Sequence, residues 1–271
     1  YVLIVYPIVG SWQWGGGFLS TLTDEVGFYD FAGSTLVHSV GGWGGLVIIY
    51  LLGARKGKFD SSGKAVAIPG SNIPLSAAGV LILWLGWFGF NGGSVLSADP
   101  ANTSLVLVTT CLAAAAGGLG ASFLSSLMYK NLDITMFMNG VLGGLVGITA
   151  GADQMGPTSA ILIGAIGGAI VVLGVALLDK CKLDDPVGAI PVHLFAGIWG
   201  TLAVGIFGAS AGFDQFMVQL ASTGIVGAFC VVGATIIALI VKSTMGLRVS
   251  DEEEEIGLDI SEHGTKAYFS S

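Results

Sequence analysis

The chain has 271 residues, of which 53% are hydrophobic and only 10% are charged, and its mean hydropathy is +0.84. A water-soluble domain of this length would not show such a balance, so the composition excludes a soluble globular protein and indicates a polytopic membrane protein. The net charge of −8 at pH 7 argues against a nucleic-acid partner.

Seven apolar stretches are each long enough to cross a hydrocarbon core of about 30 Å as a helix. In chain order, these predicted spans are residues 31 to 53, 73 to 97, 104 to 128, 135 to 152, 158 to 179, 187 to 211 and 217 to 241. Residues 1 to 14 resemble the outer end of another span and begin without Met, so we expect the chain to be a fragment. The predicted organisation is an all-α membrane domain over residues 1–242 and a tail over residues 243–271.

The charged residues predict the orientation of these spans. If the spans alternate in direction, all ten basic residues fall on one side: Arg55, Lys56, Lys58, Lys64, Lys130, Lys180, Lys182, Lys242, Arg248 and Lys266. The opposite loops carry only acidic charges: Asp24, Glu25, Asp99, Asp153 and Asp214. The positive-inside rule therefore places the basic side and the tail in the cytoplasm. We expect the membrane itself to be the plasma membrane.

Two stretches of the sequence share an unusual aspartate and histidine pattern. DFAGSTLVH (residues 30–38) and DPVGAIPVH (residues 185–193) each have His eight positions after Asp, Gly at the fourth place and Val before the His. Each His then lies about 12 Å deeper in the membrane than its Asp, at 1.5 Å per helical residue. The second copy lies five spans after the first, so the two enter from opposite faces. This pattern predicts inverted repeats with a working site at the midplane, and about 120 residues in four helices would precede Tyr1 if both halves were equally long.

The paired histidines have a chemical explanation. A neutral imidazole carries one donor and one acceptor, so two rings can share a proton and still offer polar groups to a small guest. We predict that ring nitrogens of His38 and His193 lie roughly 2.7 to 3.5 Å apart. The alternative is that each His merely bonds a neighbouring backbone or serine group. Asp30 and Asp185 each begin a span, where a carboxylate is expected to cap free amides rather than contact substrate.

Aromatic residues and a hydroxyl lie near the outer ends of two spans. WGGGF places Trp14 on the outer loop, and GWFGFNGGS places Trp87, Phe90 and Ser94 at the end of a span. Aromatic faces attract a partly desolvated cation by about 1 to 2 kcal/mol, and a hydroxyl adds an acceptor. An aromatic belt at the membrane surface is the alternative explanation for Trp14. Together with the histidines, these residues predict an outer vestibule for a cation.

Neither cysteine nor glycine indicates a cofactor. The three cysteines, Cys111, Cys181 and Cys230, are far apart, so their spacing suggests neither a disulfide framework nor a metal site. Glycines recur at helical intervals in two spans: Gly117, Gly118 and Gly120, and Gly164, Gly167, Gly168 and Gly174. Such glycines let helices approach closely in lipid and do not form a phosphate loop, so we expect no cofactor.

Five segments together resemble the ammonium transporter family, which is related to the methylammonium permeases and the Rhesus proteins: WGGGF, DFAGSTLVHSVGG, LGWFGFNGGS, DDPVGAIPVHLFAGIWG and GLRVSDEEEEIGLDISEHGTKAY. The resemblance covers the whole chain and implies that it begins at the fourth helix of eleven. It implies a homotrimer with one pore per subunit, ammonium, ammonia and methylammonium as substrates, and a PII-type signalling protein at the cytoplasmic face. The resemblance also implies a role for each candidate site residue: Trp14 and Ser94 recruit ammonium, Phe90 is a gate residue, Trp87 lines the pore, His38 and His193 are the twin histidines, and Asp30 and Asp185 give structural support.

Two departures from the family pattern bear on these expectations. The partner phenylalanine of the gate belongs to a helix that is absent here. The tail reads HGTKAY where the family more often has glutamate after the glycine, which weakens an expectation of coupling between subunits through the tail.

The sequence therefore predicts a transporter, not an enzyme, that deprotonates ammonium and conducts ammonia past the histidines. An ammonium sensor on the same fold and a Rhesus-like gas channel are the alternatives. An intramembrane hydrolase would need a nucleophile beside a histidine. Ser39 is adjacent to His38 only in sequence, and consecutive helical residues do not face each other.

Overall fold

The protein is an all-helical bundle in a computed structural model that describes residues 1–23 and 26–268. The α-helices are α1 (Val5–Ser11), α2 (Val40–Leu52), α3 (Ile73–Gly93), α4 (Pro100–Tyr129), α5 (Ile134–Ile148), α6 (Pro157–Lys180), α7 (Ala196–Phe207), α8 (Phe213–Thr244), α9 (Asp251–Ile256) and α10 (Leu258–Ser261). A 3-10 helix covers Phe18–Thr21, and one isolated antiparallel bridge joins Phe59 to Ala65. The outer-loop acids Asp24 and Glu25 and the last three residues of the tail lie outside the described residues.

Six helices in the described ranges are long and apolar enough to cross a membrane, which confirms the predicted fold class. The seventh apolar helix, α5, has only 15 residues. At 1.5 Å per residue it extends about 22 Å, less than the thickness of a hydrocarbon core. The predicted span over residues 135 to 152 is therefore too long, because the helix ends at Ile148 and the chain turns.

Capping residues, rather than apolarity, determine several helix ends. α4 begins at Pro100, four residues before the predicted span, because the Asp99 carboxylate accepts the Ala101 N–H and proline suits a first helical turn. The Asn72 side chain caps α3 in the same way by accepting the Leu75 N–H. α8 runs from Phe213 to Thr244 and so extends beyond the predicted span at both ends.

Each histidine of the repeated motif lies in a π-helical segment. These segments are Ser34–Ser39, which continues into α2, and Ile190–Phe195, which continues into α7. Gly33 and Gly188 precede the segments at φ +109° and +75°, a left-handed conformation that favours glycine. π-Helical turns are rare and occur frequently at functional sites. The two copies of the motif therefore share an irregular backbone as well as a sequence pattern.

The glycine-rich helices α4, α5 and α6 pack backbone against backbone. A Cβ atom placed on Gly168 would lie 2.0 Å from the carbonyl oxygen of Gly117, and one on Gly164 would lie 2.2 Å from that of Ala113. No side chain fits such a gap. This geometry confirms the packing role predicted for these glycines.

Ion pairs connect the loops at the end of the bundle that carries the basic residues, here called the basic face. Arg55 donates to both oxygens of Asp184, at 2.7 and 2.9 Å. The hydrogen-bonded guanidinium lowers the pKa of Asp184 below its ordinary value. Four further pairs lie nearby among the described residues, three of them made by the tail: Lys58–Asp179, Lys56–Asp251, Lys56–Glu255 and Arg248–Glu254.

Candidate functional site

The two histidines of the repeated motif meet inside the bundle. Nδ1 of His38 lies 3.2 Å from Nδ1 of His193, and the rings are nearly parallel at 16°. The predicted separation is confirmed. One Nδ1 must donate and the other must accept, so the pair holds a single proton between the rings in its neutral form. Within the described part of the chain, the buried Nε2 of His38 has no hydrogen-bond partner, so this atom is available to a guest.

The two aspartates of the motif cap the helices that carry the histidines. Asp30 is fully buried, and its carboxylate accepts four backbone N–H groups at 2.8 to 2.9 Å: those of Gly33, Ser34, Thr35 and Leu36. Asp185 is half-buried and accepts from Ala189 at 3.0 Å and Ile190 at 2.7 Å. The predicted capping geometry is confirmed at both residues. Each carboxylate thereby fixes the first turn of its π-helical segment.

Aromatic rings from α3 lie against His38. The Trp87 ring stacks on His38 with centroids 5.0 Å apart and an interplanar angle of 13°. Phe90 lies 5.6 Å from both His38 and Trp87. The Trp87 indole N–H donates to the Thr149 hydroxyl at 3.0 Å, which fixes the ring plane. The structure thus brings both histidines, Trp87 and Phe90 into one continuous row of rings.

Trp14 and Ser94 make separate contacts. The half-exposed Trp14 donates its indole N–H to the carbonyl oxygen of Asp30 at 2.9 Å. The Ser94 hydroxyl donates to the carbonyl oxygen of Phe90 at 2.8 Å. Trp14 therefore lies against the segment that leads to His38, and Ser94 lies against Phe90. These hydrogen bonds do not join the two residues into one site.

A cavity of about 310 Å³ adjoins the histidines. Its lining is the two imidazoles together with small and aliphatic residues: Val37, Gly41, Gly42, Gly45, Ala189 and Ile190. Apart from the imidazole nitrogens, the side chains that line it are apolar. The cavity is therefore suited to a small neutral guest rather than to a hydrated ion. In residues 1–23 and 26–268, no group of three or more His, Cys, Asp or Glu residues could hold a metal ion.

Sequence reasoning missed two sets of buried polar residues. Thr149 and Asn91 support Trp87, and the Thr149 hydroxyl lies 3.3 Å from the Asn91 side-chain oxygen. Gln219 and Thr201 lie where α8 meets the helices that carry the histidines. All four residues are fully buried. A polar residue within an apolar span is by itself a reason to suspect function, and this signal was present in the sequence.

Comparison with known proteins identifies the family. The model of the Ammonium Transporter Family matches residues 1–268. Ammonium transporter Amt2 of Archaeoglobus fulgidus is 43% identical over 98% of this chain and 62% of its own length. A putative ammonium transporter of Synechocystis is also 43% identical, over 96% of this chain and 59% of its own length. The chain thus spans about three-fifths of the length of these relatives.

Solved structures share the fold. The structure of a sensor Amt protein has a TM-score of 0.89 and 35% identity over 96% of this chain and 67% of its own. The crystal structure of Candida albicans Mep2 has a TM-score of 0.82 and 28% identity over 93% of this chain and 58% of its own. The sequence match over nearly all residues and the shared membrane fold lead to one conclusion: the chain belongs to the ammonium transporter family.

Proposed function

We propose that the full-length protein carrying this chain transports ammonium across the membrane by removing a proton and conducting ammonia past His38 and His193. The observation that supports this most strongly is the 3.2 Å contact between the two Nδ1 atoms beside an apolar cavity. A polar pair in such surroundings offers hydrogen bonds to a small guest without offering a full charge.

Ammonium is recruited at the outer end of the pore. The faces of Trp14 and Phe90 attract the ammonium cation, and the Ser94 hydroxyl oxygen accepts one of its N–H groups. The partial exposure of both aromatic side chains, 44% for Trp14 and 39% for Phe90, supports this role. Trp87 forms the adjoining wall and leads the guest toward His38.

Proton transfer then determines selectivity. An N–H bond of ammonium breaks, an imidazole nitrogen accepts the proton, and neutral ammonia remains in the lumen. The proton moves along the histidine pair, while ammonia passes beside it. A potassium ion cannot lose its charge in this way, so it would have to enter the apolar lumen as a bare ion at high cost.

The remaining parts of the proposal concern assembly and regulation. Asp30 and Asp185 hold the histidine helices and do not touch substrate. The protein forms a homotrimer in the plasma membrane with its C-terminus in the cytoplasm.

The tail docks on the basic face, where Arg248 donates to the carbonyl oxygens of Leu52 and Ala54 at 3.1 and 2.8 Å. A PII-type protein binding there would contact a segment that adjoins the end of the His38 helix.

Replacing both histidines tests the mechanism. We expect a double His38→Ala and His193→Ala variant of the full-length protein to lose methylammonium current, because the proton acceptor is gone. A double His→Glu variant supplies a polar lining and is expected to admit potassium. The measurement is the current in proteoliposomes under an ammonium gradient, with potassium as competitor. Wild-type current and selectivity in both variants would contradict the mechanism.

A sensor function is the second candidate, favoured by the similarity to the sensor Amt protein. Uptake of labelled methylammonium by the wild-type full-length protein separates the two candidates. Uptake that exceeds that of empty vesicles supports transport. Saturable binding of methylammonium without uptake supports a sensor.

A further inference from the structure

Gln219 of α8 lies at the meeting point of the two helices that carry the histidines. It is fully buried, and its carboxamide makes four hydrogen bonds. The oxygen accepts the backbone N–H of Tyr29 at 2.9 Å and an amide N–H of Gln215 at 3.0 Å. The nitrogen donates to the carbonyl oxygens of Tyr29 at 2.6 Å and Thr201 at 3.0 Å. These four bonds use the two donors and two acceptors of a carboxamide completely.

The partners of Gln219 connect it to both histidines. Tyr29 immediately precedes Asp30, whose carboxylate fixes the first turn of the His38 segment. Thr201 belongs to α7, which continues directly from the His193 segment. One side chain therefore bonds the segment that precedes the first histidine helix and the body of the second.

A second contact, which also involves Thr201, joins the His38 helix directly to the His193 helix. The hydroxyl groups of Thr35 and Thr201 lie 2.6 Å apart, and Thr35 also lies 3.4 Å from the Thr223 hydroxyl on α8. Tyr29 is further held by its neighbours, since the Phe31 N–H donates to the carbonyl oxygen of Ala150 at 2.9 Å. The segment before Asp30 thus has a defined depth in the bundle, and Gln219 fixes that depth relative to α7.

We propose that Gln219 is a positioning residue that sets the contact between His38 and His193 by fixing the two histidine helices relative to each other. The expected effect on selectivity rests on the proposed transport function. The effect on the distance between the two histidine rings does not depend on it. A displacement of one ring by about 1 Å would break a 3.2 Å contact and remove the shared proton. Loss of the Gln219 bonds should therefore alter the proton arrangement of the pair and, through it, selectivity.

Two substitutions in the full-length protein test the inference. Gln219→Met keeps the length of the side chain but removes every hydrogen bond. Gln219→Glu keeps the shape, and its protonated form retains one donor, so the effect should be smaller. The matched control is Thr235→Val, because the Thr235 hydroxyl on the same helix donates to the carbonyl oxygen of Val231 and, among the described residues, bonds no other helix.

The first readout is the ¹⁵N NMR spectrum of histidine-labelled protein in lipid, with signals assigned by substituting each histidine in turn. In the wild type we expect one protonated and one unprotonated Nδ1 in a common hydrogen bond. In Gln219→Met this coupled pair of signals should be lost, and Thr235→Val should match the wild type. The second readout is the ratio of methylammonium to potassium current, which should fall about tenfold in Gln219→Met and less in Gln219→Glu.

The outcomes separate this inference from the proposed function. Wild-type signals and selectivity in a folded Gln219→Met variant would overturn the positioning role. Equal effects in Thr235→Val would also overturn it, since they would reflect general destabilisation. If Gln219→Met does not fold, the ¹⁵N spectrum of Gln219→Glu decides whether Gln219 positions the histidines. Wild-type histidine signals in Gln219→Glu would then overturn the positioning role, and a changed pair of signals would support it. A wild type that binds but does not transport methylammonium would defeat the proposed function, while the NMR result would still decide the role of Gln219.

Discussion

At the scale of single residues, the two capping aspartates differ in burial. Asp30 is fully buried and accepts four backbone N–H groups, whereas Asp185 is half-buried and accepts two at 3.0 Å or less. A buried carboxylate that accepts several hydrogen bonds is costly to replace, because each backbone donor that remains loses its partner. The two sites therefore offer a matched comparison within one protein.

We expect Asp30→Asn to destabilise the protein by about 3 kcal/mol or more, because an amide retains only one acceptor oxygen and turns its NH₂ group toward backbone donors. Asp185→Asn should cost only about 1 kcal/mol, as for an ordinary helix cap. Thermal unfolding of the purified full-length protein in detergent, followed by circular dichroism, measures both. Equal losses in the two variants would show that burial does not govern the role of Asp30.

The sequence was sufficient to identify the histidine pair and its two capping aspartates but not Gln219 or Thr149. His38 and His193 could be paired because their motif is repeated and the repeat is inverted. Gln219 and Thr149 belong to no repeat: Gln219 bonds the backbone of Tyr29 and Thr201, and Thr149 accepts the indole N–H of Trp87 from another helix. A polar residue in an apolar span marks both as candidates, but the groups that they bond depend on the packed fold, so no local pattern identifies their partners.

At the scale of helices, close packing of α4 and α6 depends on the absence of side chains. We expect Gly168→Ala to destabilise the protein by about 2 to 3 kcal/mol, because the new methyl group would overlap the carbonyl oxygen of Gly117. The control is Gly224→Ala on α8, where an added Cβ meets no atom within 4 Å. Alanine there should be neutral or slightly stabilising, since it lowers the entropy of the unfolded chain.

The same thermal unfolding measurement distinguishes the two glycine variants. A melting temperature that falls for Gly168→Ala and not for Gly224→Ala supports the packing argument. If the melting temperature falls equally in both variants, the glycines are needed for backbone flexibility and not for the close approach of α4 and α6.

Helix existence was predictable from apolarity, whereas helix ends and irregular turns were not. The predicted spans locate α2 to α8, and the span over residues 73 to 97 begins where α3 begins, but the limits miss the cap of α4 at Asp99 and the end of α3 at Gly93. The amino-acid composition of the π-helical segments does not distinguish them from the rest of a membrane span. Their geometry arises from the cap at one end and the packing of the rings at the other.

At the scale of the whole molecule, Arg55 and Asp184 join the two halves of the inverted repeat at the basic face. Arg55 follows the helix of His38, and Asp184 precedes the helix of His193. Asp184 is only 4% exposed, and the hydrogen-bonded guanidinium lowers its pKa below the ordinary value of 3.8. A carboxyl whose pKa falls on folding stabilises the folded state above its ordinary pKa, and this contribution is lost as the pH falls through the lowered value.

Asp184→Asn should therefore melt at a lower temperature than the wild type at neutral pH. The difference should stay constant down to about pH 4 and become smaller below it, as the wild-type carboxyl takes up a proton. The measurement is the melting temperature of both proteins across this pH range in detergent. A difference that does not depend on pH would show that the Arg55 contact contributes through packing alone.

The paired π-helical segments also bear on how this protein tolerates changes in length. A π-helical turn holds an additional residue, and each residue of an α-helix rotates the following chain by about 100°. Removing one residue from Ser34–Ser39 would convert its π-helical turn to an α-helical turn of nearly the same rotation, so Gly42 would keep its close approach to Leu194 while His38 would change its position on the turn. Removing one residue from the regular helix α2 would instead rotate everything that follows by about 100°. The two six-residue segments therefore absorb a change in length with less effect on the packing of the following helices, but with a direct effect on the histidine geometry.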